Sequence, residues 1–312
     1  MDRKTFIKKS LIAGMGWGLV GKGHSLFASS DRRITILHTN DTHSHLDPFP
    51  VEAGKYAGLG GIARRATIIK KIRSQNPHTL LLDAGDAFQG TPYFQFYKGF
   101  LSYKMMSKLG YDASTLGNHE FDYGVKNLTE AAQKANFPLV CANYNFTNTS
   151  LGSIVRPFIV RDVNGIQIGI FGLGVKFKGL VSDAHHKGIY YQDPVEASTN
   201  MVRILREMHK CDMVICLSHL GFDYKDDRIC DKKLARQVNG IDLIIGGHTH
   251  TFLPKPYVVQ KANNNPTIVT QVGFGGIELG RIDFIFDRTR HIKHYYSSEL
   301  KIEGPNYDGS AG

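Results

Sequence analysis

Gly117-Asn118-His119-Glu120-Phe121-Asp122 follows directly on a predicted strand, Asp112–Leu116, and packs an amide oxygen, an imidazole and a carboxylate into six residues. An Asn amide oxygen is a weak metal ligand alone. It becomes a sensible one beside carboxylates and imidazoles that supply the missing charge and basicity. The i, i+3 spacing of His119 and Asp122 places both on one face if the segment turns helically, so the carboxylate can orient the ring. By itself the hexapeptide also reads as a polar turn with a solvated histidine, and the flanking sequence has to separate the two.

Upstream, Ile34–His38 reads as a short β-branched strand running into Thr39-Asn40-Asp41-Thr42-His43-Ser44-His45. Asp41, His43 and His45 occupy alternate positions just past the strand end, as possible ligands or as a His-rich turn. Leu59–Gln75 has helical spacing and stops at Asn76-Pro77. Thr79–Asp83 is the apolar run of a buried parallel strand, ending in Asp83-Ala84-Gly85-Asp86. Beside a glycine that lets the backbone turn sharply, Asp86 is placed to bridge two cations. Helical spacing resumes over Tyr93–Leu109, whose aromatic residues Phe94, Phe96, Tyr97, Phe100 and Tyr103 read as core packing. After the hexapeptide come a helix from about Val125 to Asn136 and a fourth short strand, Pro138–Ala142. Strand, polar loop, helix, repeated three times, predicts an α/β fold whose loops gather at one sheet edge.

Downstream, Phe158–Val163 and Gln167–Leu173 read as a hairpin through Asn164-Gly165, opening a more antiparallel section. A helix over Pro194–His209 leads to a strand, Asp212–Ser218, that delivers His219. Lys225–Asn239 reads as a charged amphipathic helix, and Ile241–Ile245 as a strand ending in Gly246-Gly247-His248-Thr249-His250. Two histidines at i, i+2 in an extended loop point the same way and can serve adjacent metals. His185 and His186 follow no strand and read as solvated. Short β segments from Tyr257 to Tyr296, with turns at Asn263-Asn264-Asn265 and Gly273–Gly276, are expected to close a second sheet.

With 312 residues and 42% hydrophobic content the chain can bury a substantial core, which excludes a disordered chain. The segment MDRKTFIKKS and the apolar Leu11–Val20 resemble an export signal, partly twin-arginine-like, with Ala28 as a cleavage site. No later stretch is apolar enough for a transmembrane helix. The domains read as a signal over residues 1–28, one folded domain over 29–300 and a fraying tail over 301–312, with an exported, periplasmic or extracellular location. The formal charge of +10 falls to about +6 without that signal, a surplus suited to anionic substrates such as phosphate esters or to an anionic membrane surface. Its Lys and Arg residues form no block with interleaved aromatics, so no nucleic-acid partner is expected. Cys141, Cys211, Cys216 and Cys230 form no CxxC pair, and Cys211 and Cys216 are expected on opposite sides of one strand.

Collected, the strand-end groups are Asp41, His43, Asp86, Asn118, His219, His248 and His250, all O or N donors. They are too many for one tetrahedral zinc and fit two metals sharing a carboxylate. The series DTHSHL, GDAFQG, GNHEFD, LSHLG and GGHTH, spread over residues 31–298, resembles the calcineurin-like metallophosphoesterases. Within them the likeness is to the catalytic domain of the 5'-nucleotidase family. The resemblance implies a four-layer αββα sandwich with two mixed β-sheets. It implies a first divalent ion on Asp41, His43 and His250, a second on Asn118, His219 and His248, and Asp86 between them. The ions, Zn, Mn, Fe or Co, would activate a water for in-line attack on phosphorus, with His119 assisting the leaving oxygen and Asp122 holding its ring. The implied substrate is a small phosphoester, foremost a 5'-nucleotide. The alternatives are 2',3'-cyclic nucleotides, nucleotide sugars, a thiosulfohydrolase-like ester, or, in another class, a catalytically silent metal-binding subunit. Family nucleotidases also carry a C-terminal domain that clamps the base, and a separately encoded partner is the expected source of one here.

Overall fold

The apolar runs become strands that share an inner core. In the computed structural model, which describes residues 31–261 and 265–304, the first third forms β1 (Arg32–Thr39), α1 (Ile62–Gln75), β2 (Thr79–Asp83), α2 (Pro92–Tyr97), α3 (Phe100–Leu109), β3 (Ala113–Ser114) and α4 (Gly124–Ala132). The middle adds β4 (Tyr144–Asn145), β5 (Phe158–Val163), β6 (Ile166–Leu173), β7 (Tyr190–Tyr191), α5 (Pro194–Arg203) and β8 (Met213–Ser218). Then follow α6 (Asp231–Gln237), β9 (Leu243–Gly246), β10 (Tyr257–Val259), β11 (Thr267–Thr270), β12 (Glu278–Phe286) and β13 (Ile292–Lys301). The expected export segment, part of the Asn263–Asn265 turn and residues 305–312 lie outside the described residues. Lys301 completes β13 and Ile302 is buried, both past the expected domain boundary at residue 300.

One sheet has the order β13-β12-β1-β2-β3, the other β10-β11-β9-β8-β6-β5, and β4 pairs with β7 in a short ribbon. In the first sheet β1, β2 and β3 are parallel; in the second β6, β8, β9 and β11 are parallel, with antiparallel edges. Alternation along each strand separates the layers. Ile34, Ile36, Leu80 and Leu82 of the first sheet meet Ile168, Ile170, Ile215 and Leu217 of the second. Leu37 and Leu81 face outward onto Ile69 of α1, Met106 of α3 and Leu128 of α4. Val214, Cys216 and Ile244 face outward onto Ala197 of α5 and Leu234 of α6. The result is the expected helix-sheet-sheet-helix stack.

Several elements differ from expectation for local reasons. Tyr93–Leu109 is two helices, broken at Lys98 and Gly99, both left-handed, because Gly99 lies flat on the buried Phe88 ring. Of its aromatics, Phe94 and Tyr103 are buried, whereas Phe96 and Tyr97 face outward. Pro138–Ala142 makes only isolated bridges, Ser114 to Leu139 and Val140 to Arg156. The helix expected over Lys225–Asn239 shrinks to α6, since side-chain pairs such as Asp226 with Arg228 hold the preceding residues in a loop. The C-terminal strands divide: β10 and β11 join the second sheet, while β12 returns to pair antiparallel with β1. Alternation marks a strand but not its neighbour, so sequence spacing left this open. All four cysteines are buried and unpaired. Cys211 precedes β8, outside its alternation, and packs in the same cluster as Cys216.

Candidate metal centre

The seven expected donors lie just past the carboxyl ends of parallel strands. Asp41 and His43 follow β1, Asp86 follows β2, Asn118 follows β3, His219 follows β8, and His248 and His250 follow β9. The centre therefore straddles the ends of both sheets. His219 Nδ1 lies 2.7 Å from the Ala84 carbonyl across that seam, and the His248 amide donates to both Asp41 carboxylate oxygens at 3.0 Å. Two glycines permit the approach. A Cβ on Gly117 would lie 2.1 Å from Asp86 Oδ1, and one on Gly247 would lie 2.8 Å from His219 Nδ1.

The loops are held in conformations that the residues themselves disfavour. Asp41, His43, Asp86, His248 and His250 have φ of 49°, 46°, 56°, 70° and 51°. Left-handed backbone costs a non-glycine residue about 1–3 kcal/mol and persists only where surrounding contacts over-determine it. Those contacts are amide bonds between loops: Asp41 N to Gly85 O at 2.9 Å, His43 N to Asp86 O at 3.0 Å and Gly275 N to Asp41 O at 2.7 Å.

Two groups of side chains result, Asp41 with His43 and His250, and Asp86 with His219 and His248, each with its donor atoms within 4.8 Å of one another. The Ala84 carbonyl accepts from His219 Nδ1, so in the neutral ring, the form that binds a cation, Nε2 presents a lone pair. That atom is buried, has no hydrogen-bond partner and lies 3.0 Å from Asp86 Oδ2. His43 Nδ1 is likewise directed at the Phe88 carbonyl at 3.1 Å, and its Nε2 lies 2.9 Å from His250 Nε2. Asn118 Oδ1 is also buried without a partner. Converging lone pairs on imidazole, carboxylate and amide fit divalent cations.

Electrostatics tie the group together. Burial would raise the Asp86 pKa, but His219, and then His43 and His119, hold it well below the carboxylate range. Burial would lower His219, but Asp86 and Asp41 hold it up to about 10. Burial, then His219, pushes His248 down to about 4. His119 opens a 3-10 turn, so its ring meets Asp122, Nδ1 to Oδ2 2.8 Å, while its amide donates to Asp86 Oδ1 at 2.8 Å. Burial lowers the His119 pKa, but the Asp122 hydrogen bond and the charge of Asp86 outweigh it, and the net shift is upward.

His45 joins neither group. It stacks on Phe49 at 4.2 Å, and burial, then His43, pushes its pKa down to about 4. His185 and His186 are half-buried instead of solvated, with His186 stacked on Phe177 at 4.5 Å.

Three buried carboxylates beside the centre were not singled out from sequence. Glu120, 1% exposed, accepts from the amides of Asp86 (2.9 Å), Ala87 (2.8 Å), Phe88 (3.3 Å) and Gly117 (2.7 Å). It fastens the β2 loop to the β3 loop. Burial, then Asp86, pushes its pKa up to about 8, against the pull of the amides. The signal was its phase, since a turn that aligns His119 with Asp122 points Glu120 the other way, into the protein. Asp83 accepts from Thr39 and Ser114 hydroxyls behind the same loops. Asp231, which the sequence places on a charged amphipathic helix, accepts from Ser218 Oγ at 2.5 Å beside His219.

Residues 34–252 match the family model described as calcineurin-like phosphoesterase. The chain is 38% identical over 286 residues to a trifunctional nucleotide phosphoesterase of Bacillus subtilis, covering 81% of this chain and 18% of that protein. It is 36% identical to a snake venom 5'-nucleotidase of Crotalus adamanteus, covering 83% of this chain and 46% of that one. A solved 5'-nucleotidase precursor from Thermus thermophilus superposes with a TM-score of 0.79 at 32% identity, over 87% of this chain and 55% of that one. The chain spans about half the length of these 5'-nucleotidases.

Proposed function

Since the chain belongs to the calcineurin-like phosphoesterase family, we propose that it is a metal-dependent hydrolase releasing phosphate from 5'-nucleotides. Asp41, His43 and His250 would hold one divalent cation and Asn118, His219 and His248 a second, with Asp86 shared, a reading supported by the closeness of the donor atoms of Asp41, His43 and His250 and of Asp86, His219 and His248. The observation that carries this is the buried, partnerless His219 Nε2 facing Asp86 Oδ2 beside a partnerless Asn118 Oδ1. Divalent cations in such a site neutralise phosphate oxygens and make water a competent nucleophile near neutral pH.

His119 supplies what the ligand set lacks, a proton. Its Nδ1–H is directed at Asp122, which fixes the ring and favours its charged form, so Nε2 carries the proton for the departing oxygen. A site built only to hold metal has no use for this pair. Asp86 orients the turn by accepting from the His119 amide.

Nucleotides lead the substrate list because the Bacillus and Crotalus relatives are named for them. Cyclic nucleotides, nucleotide sugars and thiosulfate esters remain the alternatives, with Zn, Mn, Fe or Co as the ion. Export by residues 1–28 and a separate base-clamping partner belong to the same proposal. Among the described residues no helix is long and apolar enough to cross a membrane. Mass spectrometry of the mature N-terminus checks export, and a fall in nucleotide KM with a co-purifying protein checks the partner. The central test is phosphate release from AMP by the metal-loaded chain, beside a cyclic nucleotide, a nucleotide sugar and an aryl phosphate. AMP turnover abolished by chelation is expected; no turnover of any ester with both cations bound would leave a silent metal protein.

A further inference from the structure

Asn40 stands between Thr39, the last residue of β1, and Asp41, and it is 1% exposed. A buried side-chain amide costs free energy unless its two N–H groups and its oxygen all find partners. Here each does. Nδ2 donates to Asp41 Oδ2 at 2.7 Å and to the Gly273 carbonyl at 2.6 Å, and Oδ1 accepts from the Val272 amide at 2.9 Å. A backbone N–H only donates and a carbonyl only accepts, so Val272 and Gly273 fix which end of the side chain is nitrogen. The group turned toward Asp41 is therefore a donor.

That donor divides the Asp41 carboxylate. Oδ2 is taken by Asn40, whereas Oδ1 approaches the histidines, 3.4 Å from His250 Nε2, 3.9 Å from His43 Nε2 and 4.0 Å from His219 Nε2. The His248 amide lies 3.0 Å from both oxygens and does not choose between them. A carboxylate can meet a cation through one oxygen or through both, and the Asn40 hydrogen bond is what tells these two apart.

The brace also crosses the seam between the sheets. Val272 and Gly273 follow β11 of the second sheet, so Asn40 ties the end of β1 to the end of β11. The same short segment meets the other side chains of the group. The Gly275 amide donates to the Asp41 carbonyl at 2.7 Å, and the Phe274 ring stacks on His250 with centroids 5.2 Å apart and planes 19° from parallel. Residues 272–275 carry no carboxylate or imidazole, yet they orient both Asp41 and His250.

We propose that Asn40 is a positioning residue for the group of Asp41, His43 and His250: by holding Asp41 Oδ2 it presents Oδ1 alone to the cation. This rests on the metal-dependent reading above. The carboxylate is oriented before the cation arrives, so binding does not have to order it. Hydrogen bonds that orient a ligand in this way typically contribute about 10–100-fold in metal affinity.

Two measurements test the proposal. In a crystal of the wild type grown with Mn2+, Asp41 should bind the ion through Oδ1 while Oδ2 keeps its hydrogen bond to Asn40. Ligation through Oδ2, or through both oxygens, overturns the proposal. Calorimetric titration of the metal-free protein with Mn2+ then compares wild type, Asn40→Ala and His250→Ala. The binding step weakened in Asn40→Ala should be the one weakened in His250→Ala, by about 10–100-fold, with the other step unchanged. Unaltered affinities in Asn40→Ala overturn it, as does equal weakening of both steps, which would mark a general loosening of the fold. If Asn40→Ala does not fold, the crystal alone decides. A wild type that binds Mn2+ in this way and hydrolyses no phosphoester defeats the hydrolase reading and leaves the role of Asn40 standing. A wild type that binds no divalent cation overturns both.

Discussion

Glu120→Gln replaces one atom by another of nearly the same size and should nevertheless be costly. Oε1 accepts from Ala87 and Phe88, and Oε2 from Asp86 and Gly117. A glutamine has one acceptor oxygen. Whichever way its amide is turned, an NH2 group faces two backbone N–H donors, and both are left buried without acceptors. At about 1–3 kcal/mol for each orphaned group the gross loss is about 2–6 kcal/mol. Removing a carboxylate whose ionised form burial and Asp86 disfavour gives some of this back, so the net expectation above pH 8 is a loss of about 2 kcal/mol or more, in a domain whose total stability is on the order of 5–15 kcal/mol. Urea unfolding followed by circular dichroism, with chelator in both samples, isolates the effect from metal linkage. Because the same bonds position Asp86, cation affinity should fall in parallel. A variant within about 0.5 kcal/mol of wild type, inside the range of ordinary surface changes, with unchanged affinity, would refute Glu120 as the fastener of the two loops.

Three further predictions concern separate parts of the molecule. His38 is buried with its Nδ1 unpartnered, and burial pushes its pKa down to about 3. Its contribution is complete above the unfolded value near 6.5 and is lost as pH falls toward 3, so wild type should lose about 2 kcal/mol more than His38→Gln between pH 7 and pH 5 in chelator. Parallel pH profiles would contradict that. His119→Ala should cut kcat by about 10²–10⁴ with metal content equal to wild type by elemental analysis; metal loss would make His119 a structural residue. Gly117→Ala sets a methyl 2.1 Å from Asp86 Oδ1, and should weaken cation binding more than it lowers the metal-free unfolding midpoint. The reverse order of effects would place the strain in the fold instead of the site.

Most of the centre was legible because its chemistry is carried by short segments at strand ends. Each donor-bearing motif follows an apolar run, and a parallel α/β sheet brings such positions together. His45 shows where spacing fails. It alternates with Asp41 and His43 like a third ligand, but His43 and Ser44 are left-handed, so the extended-chain phase does not carry through and its ring lies on Phe49. Asp231 and Glu120 were hidden because burial of a charged residue depends on what folds over it. The break at Lys98-Gly99 was hidden because its cause, the Phe88 ring, comes from another segment.

By itself the sequence determined the strand-loop-helix rhythm, the donor types and the His119–Asp122 spacing, all of which are set within about ten residues of chain. Tertiary structure alone decided that β12 returns to β1, that two sheets meet at the centre, and that His219 Nδ1 finds the Ala84 carbonyl, so that Nε2 faces Asp86. Those outcomes depend on contacts between residues far apart in the chain, with His219 135 positions from Ala84. Their energies come from burial and from paired backbone groups, neither of which a local pattern encodes.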